Sequence, residues 1–303
     1  MYAELLRGLF TEESLTTAER KIDYLRGLQL RVKFLRKAYT KYPVPPNIYV
    51  ERGVQAAYLL AYLPHYTEPL YEIFVRNAGI EIPTRLSLFG TGPCPEMIGL
   101  LRYIRDKHPR HAEPLRVTAY DLAHEEWAWS RSIVFNYVAP TFLRQNEFKV
   151  AGKRLDIAAP FDLGNVGRQF CVFQNCLNEI QPTSWPTFIA SVIGLYKNLA
   201  PASWLCMIHA GQVERQLVRV EDLMGEIQNK IAAQYSTDAI VKDVAEGNEQ
   251  GLIRHRSRFG YPPLEITQHL LTTLPGPPGT ANGDPQLLPK RNLPFRYSLI
   301  RKV

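Results

Sequence analysis

The hydrophobic pattern of the chain changes character near residue 83. Before that point, apolar residues recur on one helical face through residues 11–41, and Thr11 is the candidate N-cap of this helix. Two further helices are predicted at 52–63 and 67–79 from their apolar spacing and terminal signals. The sequence therefore predicts an N-terminal helical region over residues 1–80.

Beyond residue 83, short apolar runs alternate with amphipathic stretches, which is typical of a parallel sheet covered by helices. Strands are predicted at 86–89, 116–120, 154–157, 170–175 and 204–209, and helices at 96–107, 125–143, 186–199 and 220–233. Two late strands, at 251–256 and 295–301, flank a Pro- and Gly-rich segment at 274–285 that cannot be regular structure. The fold class predicted for 81–303 is α/β, with a Rossmann-like seven-stranded sheet.

Composition supports a folded chain and weakly favours anionic partners. Of 303 residues, 46% are hydrophobic and 21% charged, which is ample for a buried core. The N-terminus has no signal-peptide pattern, and no apolar run approaches the roughly 18 residues of a spanning helix. We therefore expect a cytoplasmic protein without membrane association. The net charge of +7 favours a partner such as nucleic acid.

The cysteines do not suggest a metal site. Cys94, Cys171, Cys176 and Cys206 are scattered, with no CxxC pair and no histidine at zinc-ligand spacing. We expect four reduced thiols that pack in the core, and no bound metal.

The candidate chemistry begins in the turn after the first predicted strand, Gly90-Thr91-Gly92-Pro93-Cys94-Pro95-Glu96. Two glycines let the backbone turn sharply and approach a ligand closely. The N–H groups that open the next helix favour polar or anionic groups. A plain tight turn between strand and helix explains the same residues, so this motif alone leaves the question open.

Polar residues also close the following strands. Asp121 ends the second strand, where its carboxylate can accept hydrogen bonds from ribose hydroxyls or simply cap the helix near Leu122. Asp156 and Ile157 end the third strand, and Asn175 ends the fourth. Ligands of open parallel sheets bind beyond the carboxyl ends of the strands, so these residues predict one shared crevice.

A dinucleotide site is the competing interpretation of the glycine turn. That fingerprint is GxGxxG, whose third glycine allows close packing of helix on strand. Pro95 occupies the third glycine's position here. The turn therefore favours S-adenosylmethionine (SAM) over a dinucleotide without excluding the latter.

With these residues, the chain resembles the class I SAM-dependent methyltransferases over roughly 80–210, and more loosely in the late strand pair. The resemblance implies a SAM-dependent methyltransferase domain over 81–303 and these cofactor-binding residues: Gly90, Thr91, Gly92, Pro93, Glu96, Asp121, Leu122, Asp156, Ile157 and Asn175. Two positions depart from the family pattern. Leu88 replaces the usual acid two residues before the first glycine, a carboxyl group that Glu96 can supply instead, and Cys94 replaces the third glycine of GxGxG.

A narrower likeness involves residues 52–66, the GxGP turn and the segment Asn175-Cys-Leu-Asn-Glu179. These look like the methyltransferase-like family associated with the mitochondrial small ribosomal subunit and its bacterial relatives. The clustered cysteines common in that family are missing here.

Methyl transfer from a sulfonium needs positioning more than acid–base chemistry. Asn175 and Asn178 can orient an amine acceptor, whereas a hydroxyl acceptor would need a base such as Glu179, His124 or His209. Each of these residues also has a structural explanation. The catalytic candidates are therefore Asn175, Glu179 and His209.

Three functions remain open. The first is methyl transfer to RNA, slightly favoured by the charge and by the narrower likeness; the basic face of the helix at 20–41 could follow phosphates or could simply be solvated. The second is a small-molecule methyltransferase whose N-terminal helices form a lid lined by Tyr58, Tyr62, Tyr66 and Tyr71. The third is a non-catalytic assembly or interaction protein, suggested by Leu88 and Cys94. Nothing in the sequence predicts the oligomeric state.

Overall fold

The structure is a computed structural model that describes residues 1–39, 44–143, 147–209, 214–235, 239–243, 253–256 and 292–303. It begins with helices α1 (Tyr2–Glu12), α2 (Ala18–Ala38), α3 (Arg52–Ala61), α4 (Leu63–Tyr66) and α5 (Glu68–Arg76), with a 3-10 turn at Pro46–Val50.

The helix predicted at 11–41 corresponds to α2, and α1 before it was not predicted. Thr17 caps α2 by accepting the N–H of Arg20 at 3.3 Å. Thr11 lies inside α1, where its hydroxyl donates to the carbonyl of Arg7. Thr67 precedes α5, but its hydroxyl donates to Pro64 instead of capping the helix. The predicted helices therefore exist, whereas two of the proposed caps were wrong.

The remaining elements alternate between strand and helix. In chain order they are β1 (Arg85–Phe89), α6 (Pro95–Lys107), β2 (Leu115–Asp121), α7 (Ala128–Ile133), β3 (Phe148–Arg154), β4 (Phe170–Gln174), α8 (Trp185–Asn198), β5 (Trp204–His209), α9 (Glu214–Gln234), β6 (Ala239–Asp243), β7 (Ile253–Arg256) and β8 (Asn292–Lys302).

The strands form one mixed sheet in the order β3-β2-β1-β4-β5-β8-β6. The strands β1 to β5 are parallel, whereas β8 runs antiparallel between β5 and β6. The short strand β7 pairs with β8 off this path. The predicted α/β fold is confirmed: a Rossmann-like seven-stranded sheet, here with β7 added, preceded by a helical region.

The third strand lies earlier in the chain than predicted. It spans Phe148–Arg154, in parallel register with β2 from Leu115↔Phe148 to Asp121↔Arg154. Most of its residues are exposed because it forms an edge of the sheet. An edge strand lacks the continuous apolar run of a central one, so the sequence signal was weak. Asp156 and Ile157 therefore lie in the turn that follows the strand, not within it.

The helix predicted over 125–143 also differs. α7 is followed by a π-helical turn, Val134–Val138, and a 3-10 turn, Ala139–Thr141. Helix α1 packs closely here: a Cβ added at Gly8 would stand 2.8 Å from Ile133 and 2.9 Å from Tyr137. Apolar periodicity detects a helix but not a change in its hydrogen-bond pattern.

The sheet separates two apolar clusters. One joins the N-terminal helices and α6 to side chains such as Leu88, Val117 and Val172. The other joins α8 and α9 to side chains such as Phe89 and Phe173. Alternate residues of each strand serve the two faces, as strand geometry requires. The helical region therefore shares its core with one whole face of the sheet.

Of the late elements, residues 253–256 form β7, inside the strand predicted at 251–256, and β8 contains the strand predicted at 295–301. The segment 274–285 lies outside the described residues. β6 was not predicted. Within the described parts of the chain, none of the helices combines the length and apolar character needed to cross a bilayer.

Candidate functional site

The glycine turn connects β1 to α6 through three residues with left-handed backbone. Gly90, Gly92 and Cys94 have φ values of 62°, 52° and 65°. The N–H of Gly90 donates to the carbonyl of Tyr120 at 2.8 Å, and that of Cys94 to Thr91 at 3.0 Å. Cys94 is the N-cap of α6 and is fully buried, which raises the pKa of its thiol to about 12. Its role is to turn the chain.

Both glycines are also needed because protein atoms lie directly above them. A Cβ at Gly90 would stand 2.5 Å from the Cβ of Cys176. One at Gly92 would stand 3.2 Å from the indole ring of Trp127. The turn is therefore held from two sides, by the segment after β4 and by the segment after β2. The four cysteines are buried and free, so the prediction that they are packing residues is confirmed.

The carboxylate of Asp121 joins the end of β2 to this turn. One oxygen accepts the N–H of Gly92 at 2.8 Å, and the other accepts the N–H of Ala123 at 2.8 Å. Asp121 does not cap a helix near Leu122, because α7 begins only at Ala128; its carboxylate instead turns the chain after β2 and braces the glycine turn across the crevice. Burial raises the pKa of Asp121, opposed by the hydrogen bond from Gly92 and by Arg131. Leu122 beside it is 37% exposed.

A second buried acid lies at the base of the turn. Glu96 is in the first turn of α6 and accepts a hydrogen bond from the Thr91 hydroxyl. Burial raises the pKa of Glu96 to about 8, partly offset by that hydrogen bond. Pro93 is buried with them. Glu96 therefore brings a carboxyl group to the turn where Leu88, fully buried in the core, does not.

Arg131 is a site residue that the sequence did not reveal. Its Nε donates to the carbonyl of Gly92 at 2.7 Å, and its Nη1 lies 2.6 Å from Nδ1 of His124. The side chain is buried. One signal was available, because Arg131 stands four residues after Trp127, on the face of a predicted helix that is otherwise buried.

The segment after β4 brings amides and a further acid to the same edge. Asn175 adopts a left-handed conformation (φ 56°), and its N–H donates to Ile208 at 3.0 Å. Gln174 is buried, and its Nε2 donates to the carbonyl of Tyr66. Glu179 is half-buried, yet the surrounding protein and the charge of Asp121 raise its pKa to about 8.

The remaining candidates lie further from this arrangement. Asp156 is exposed, and its Oδ1 accepts the N–H of Ala158 at 2.9 Å. Ile157 is partly buried against the cluster beneath α8 and α9. His209 ends β5, and within the described structure neither ring nitrogen has a hydrogen-bond partner. Burial lowers the pKa of His209 to about 4, with Arg296 contributing, so its imidazole is neutral at pH 7.

An aromatic layer from the N-terminal helices faces the turn. Tyr58 and Tyr62 stack at 5.4 Å, and Tyr66 lies 6.0 Å from Tyr62. We call these three residues the tyrosine wall. Tyr58 also contacts Trp127 at 5.1 Å, which joins the wall to Gly92. Tyr71, predicted to belong with them, instead packs against Tyr103 and lies under Arg102, between α5 and α6.

Acidic side chains are concentrated in this crevice, although the chain as a whole is basic. Charge from Asp121 raises the pKa of Glu96 and of Glu179, although burial is the larger cause in both. The basic group in contact with the turn, Arg131, is hydrogen-bonded to Gly92. In the described residues, no set of three or more His, Cys, Asp and Glu side chains could hold a metal ion. The arrangement suits an organic ligand with positive charge and hydroxyl groups.

Comparisons with known proteins give only distant likenesses. No protein-family model and no curated protein matches the chain. Among solved structures, the C-methyltransferase domain of the citrinin polyketide synthase is 16% identical, with 78% of this chain and 63% of that domain covered and a TM-score of 0.40. The chain thus spans less than two thirds of that domain.

Two other solved structures are similarly distant. The plantazolicin methyltransferase, in complex with a pentazolic desmethylPZN analogue and S-adenosylhomocysteine (SAH), is 11% identical over 93% of this chain and 99% of its own, with a TM-score of 0.39. The SAM-bound amino pentose methyltransferase from Micromonospora echinaspora is 19% identical over 47% and 50%, with a TM-score of 0.30.

Proposed function

We propose that this chain is a SAM-dependent methyltransferase acting on a small molecule. The observation that carries the proposal is the Asp121 carboxylate, which closes the glycine turn through Gly92 at the carboxyl edge of a parallel sheet. Each oxygen accepts one backbone N–H and keeps lone pairs for ligand hydroxyls. This edge is where open α/β sheets bind their ligands.

The donor and acceptor set fits this cofactor. When bound, SAM supplies an activated methyl group on a positively charged sulfur, and a crevice with buried carboxyl groups stabilises such a cation. Asp121 would hold the ribose, Leu122 and Ile157 would pack on the adenine, and Asp156 would accept its amino group. Glu96 would supply the acid that is missing at Leu88. The residues of this proposed site are Gly90, Thr91, Gly92, Pro93, Glu96, Asp121, Leu122, Asp156, Ile157 and Asn175.

The preference for RNA came from the charge and from the narrower family likeness, and the crevice does not support it. Basic residues lie exposed on α2, whereas acids and aromatic rings border the turn. The tyrosine wall comes from α3 and α4, which supports the interpretation of the N-terminal helices as a lid over a small acceptor. Aromatic rings offer such a ligand a large apolar contact at low entropic cost.

Catalysis would rest on positioning and on removal of one proton. Glu179 is the base we favour, because burial raises its pKa to about 8 and so makes its ionised form a stronger proton acceptor than an ordinary carboxylate. Asn175, held by its N–H to Ile208, would orient the acceptor. His209 is neutral at pH 7 and can also accept a proton, but its depressed pKa makes it the weaker base.

Calorimetric titration of the full chain with SAM and SAH tests the proposal. We expect micromolar binding of both, and loss of at least tenfold in affinity for Asp121→Ala. Asp162→Ala is a matched control, because Asp162 also accepts a backbone N–H, from Gly164 at 2.8 Å, but in an exposed turn. Absence of binding at millimolar cofactor would refute the enzyme and favour the non-catalytic interaction protein.

A further inference from the structure

Two polar side chains of the crevice, those of Asp121 and Gln174, lie on the same face of the sheet. Asp121 and Gln174 continue the alternation that places Ala119 and Val172 towards the N-terminal helices. Both side chains therefore lie on the face covered by the tyrosine wall. This is consistent with the hydrogen bond from Gln174 Nε2 to the carbonyl of Tyr66 at 2.7 Å.

One buried hydrogen-bond acceptor in this layer lacks a donor among the described residues. Oε1 of Gln174 belongs to a side chain that is 2% exposed, and it has no hydrogen-bond partner among the described residues. Oδ1 of Asn178, in the segment after β4, is also a buried acceptor without a hydrogen-bond partner among the described residues. A buried acceptor without a donor costs about 1–3 kcal/mol, so such atoms point to a ligand that brings N–H or O–H groups.

Acids and rings surround these acceptors. The pKa of the Tyr58 hydroxyl is raised by burial and by the nearby groups Tyr66, Tyr49, Glu96 and Asp121. That of Tyr49 is raised by burial and by Glu179. These tyrosine hydroxyls therefore lie within electrostatic reach of the acids at the carboxyl edge of the sheet. Carboxylates and aromatic faces are the two environments that favour an organic cation.

We infer that the methyl acceptor is an amine with an aromatic or apolar body, which enters as an ammonium ion between Glu179, Gln174 and the tyrosine wall. This inference rests on the proposed function and deepens it. Besides Asp121, the carboxyl groups of Glu96 and Glu179, whose pKa values burial raises to about 8, would ionise when a cation lies beside them, because an opposite charge favours the carboxylate. The ammonium N–H groups would satisfy Gln174 Oε1, and the rings would hold the body of the amine.

The reaction balances with Glu179 as proton acceptor. The ammonium gives one proton to the Glu179 carboxylate and becomes a neutral amine. The nitrogen lone pair then forms the bond to the methyl carbon, while the electron pair of the broken carbon–sulfur bond stays on sulfur. The product is the methylated ammonium ion and neutral SAH, and the carboxyl group later returns its proton to water.

The test compares phenethylamine with its neutral counterpart 2-phenylethanol, by calorimetry on the full chain with SAH bound. SAH is used because its sulfur is uncharged and does not repel the ammonium. We expect the amine to bind at least tenfold tighter than the alcohol, and methylated phenethylamine to form when SAM replaces SAH. Equal or weaker binding of the amine would overturn the inference.

Two variants check the assignment. Glu179→Gln keeps the shape and removes the charge, so the preference for the amine should fall below threefold; Glu113→Gln, an exposed acid just before β2, should retain it. Tyr58→Leu should also weaken the preference by removing a ring. A preference unchanged in both Glu179→Gln and Tyr58→Leu would refute the site.

Failure of the two proposals can be told apart. If SAH binds but the amine has no advantage, the amine inference fails and the methyltransferase stands. If SAH does not bind, the methyltransferase fails, and the amine–alcohol comparison is repeated on the protein alone. Absence of a preference there would overturn the cation site as well.

Discussion

Arg131 donates from Nε to the carbonyl oxygen of Gly92 at 2.7 Å, so a residue from the helix after β2 fixes the orientation of a peptide in the turn after β1. The carboxylate of Asp121 accepts the N–H of Gly92 and so fixes the preceding peptide. Both polar groups of Gly92 are thus bound by buried charged side chains of opposite sign. The turn is rigid before any ligand arrives.

Loss of this guanidinium should destabilise the protein and weaken cofactor binding. For Arg131→Met we expect a decrease of about 2–3 kcal/mol in the free energy of unfolding, because the Gly92 carbonyl and Asp121 lose their buried cationic neighbour. Arg26→Met is the control: Arg26 is exposed and pairs with the exposed Asp23, so its loss should cost less than about 0.5 kcal/mol. Urea denaturation measures both. Equal costs would contradict the bracing role.

Alanine substitutions at Gly90 and Gly164 separate the cost of close packing from the cost of backbone strain. Gly90→Ala places a Cβ 2.5 Å from Cys176 at a φ of 62°. Gly164→Ala meets nothing within 4 Å at a φ of 64°, so it measures the backbone cost alone. We expect about 1–2 kcal/mol for Gly164→Ala and at least about 1 kcal/mol more for Gly90→Ala. Thermal or chemical unfolding that shows equal losses would rule out the steric contact.

Glu96 should make stability fall as pH rises. Its pKa is about 8 in the folded chain, raised by burial above the ordinary value of 4.5, with Asp121 and Arg131 as its charged neighbours. Between these values the folded state holds a proton that the unfolded state has released, so each step upward in pH favours unfolding. The loss is complete above about pH 8.

The measurement is the free energy of unfolding at pH 6 and pH 9, for wild type and for Glu96→Gln. The variant keeps an acceptor for the Thr91 hydroxyl but cannot ionise, so its decrease over this range should be smaller than that of wild type. Glu113→Gln should follow wild type. Glu179, with a pKa also near 8, contributes a decrease common to all three proteins. An identical decrease in Glu96→Gln would disprove the buried acid's role.

Central strands of the sheet were predictable because burial on both faces leaves continuous apolar runs. β1 and β5 were placed to within one residue for this reason. β3 was misplaced because its outer positions are exposed and Gly152 interrupts the pattern. At Gly152 a Cβ would stand 2.0 Å from the His124 ring, a constraint that exists only after β2 and β3 pair.

The candidate site was predictable in its backbone but not in its electrostatics. The ends of β1, β2 and β4 marked Gly90, Asp121 and Asn175 because parallel strands share one carboxyl edge. The sequence did not indicate that Glu96 would be buried beside Thr91, and the spacing of Arg131 from Trp127 did not show that the guanidinium would reach Gly92. Such contacts depend on which helix packs above which strand.

The position of β8 between β5 and β6 has a consequence for the order in which the fold assembles. The parallel strands can pair in sequence as synthesis proceeds, but β6 must wait for its neighbour until residues 292–302 have been made. Closing so long a loop is slow, since its entropy is lost before the pairing compensates for it. We therefore expect a late, cooperative folding step in which β8 and β6 join the sheet after the strands that carry the crevice, β1, β2 and β4, have paired.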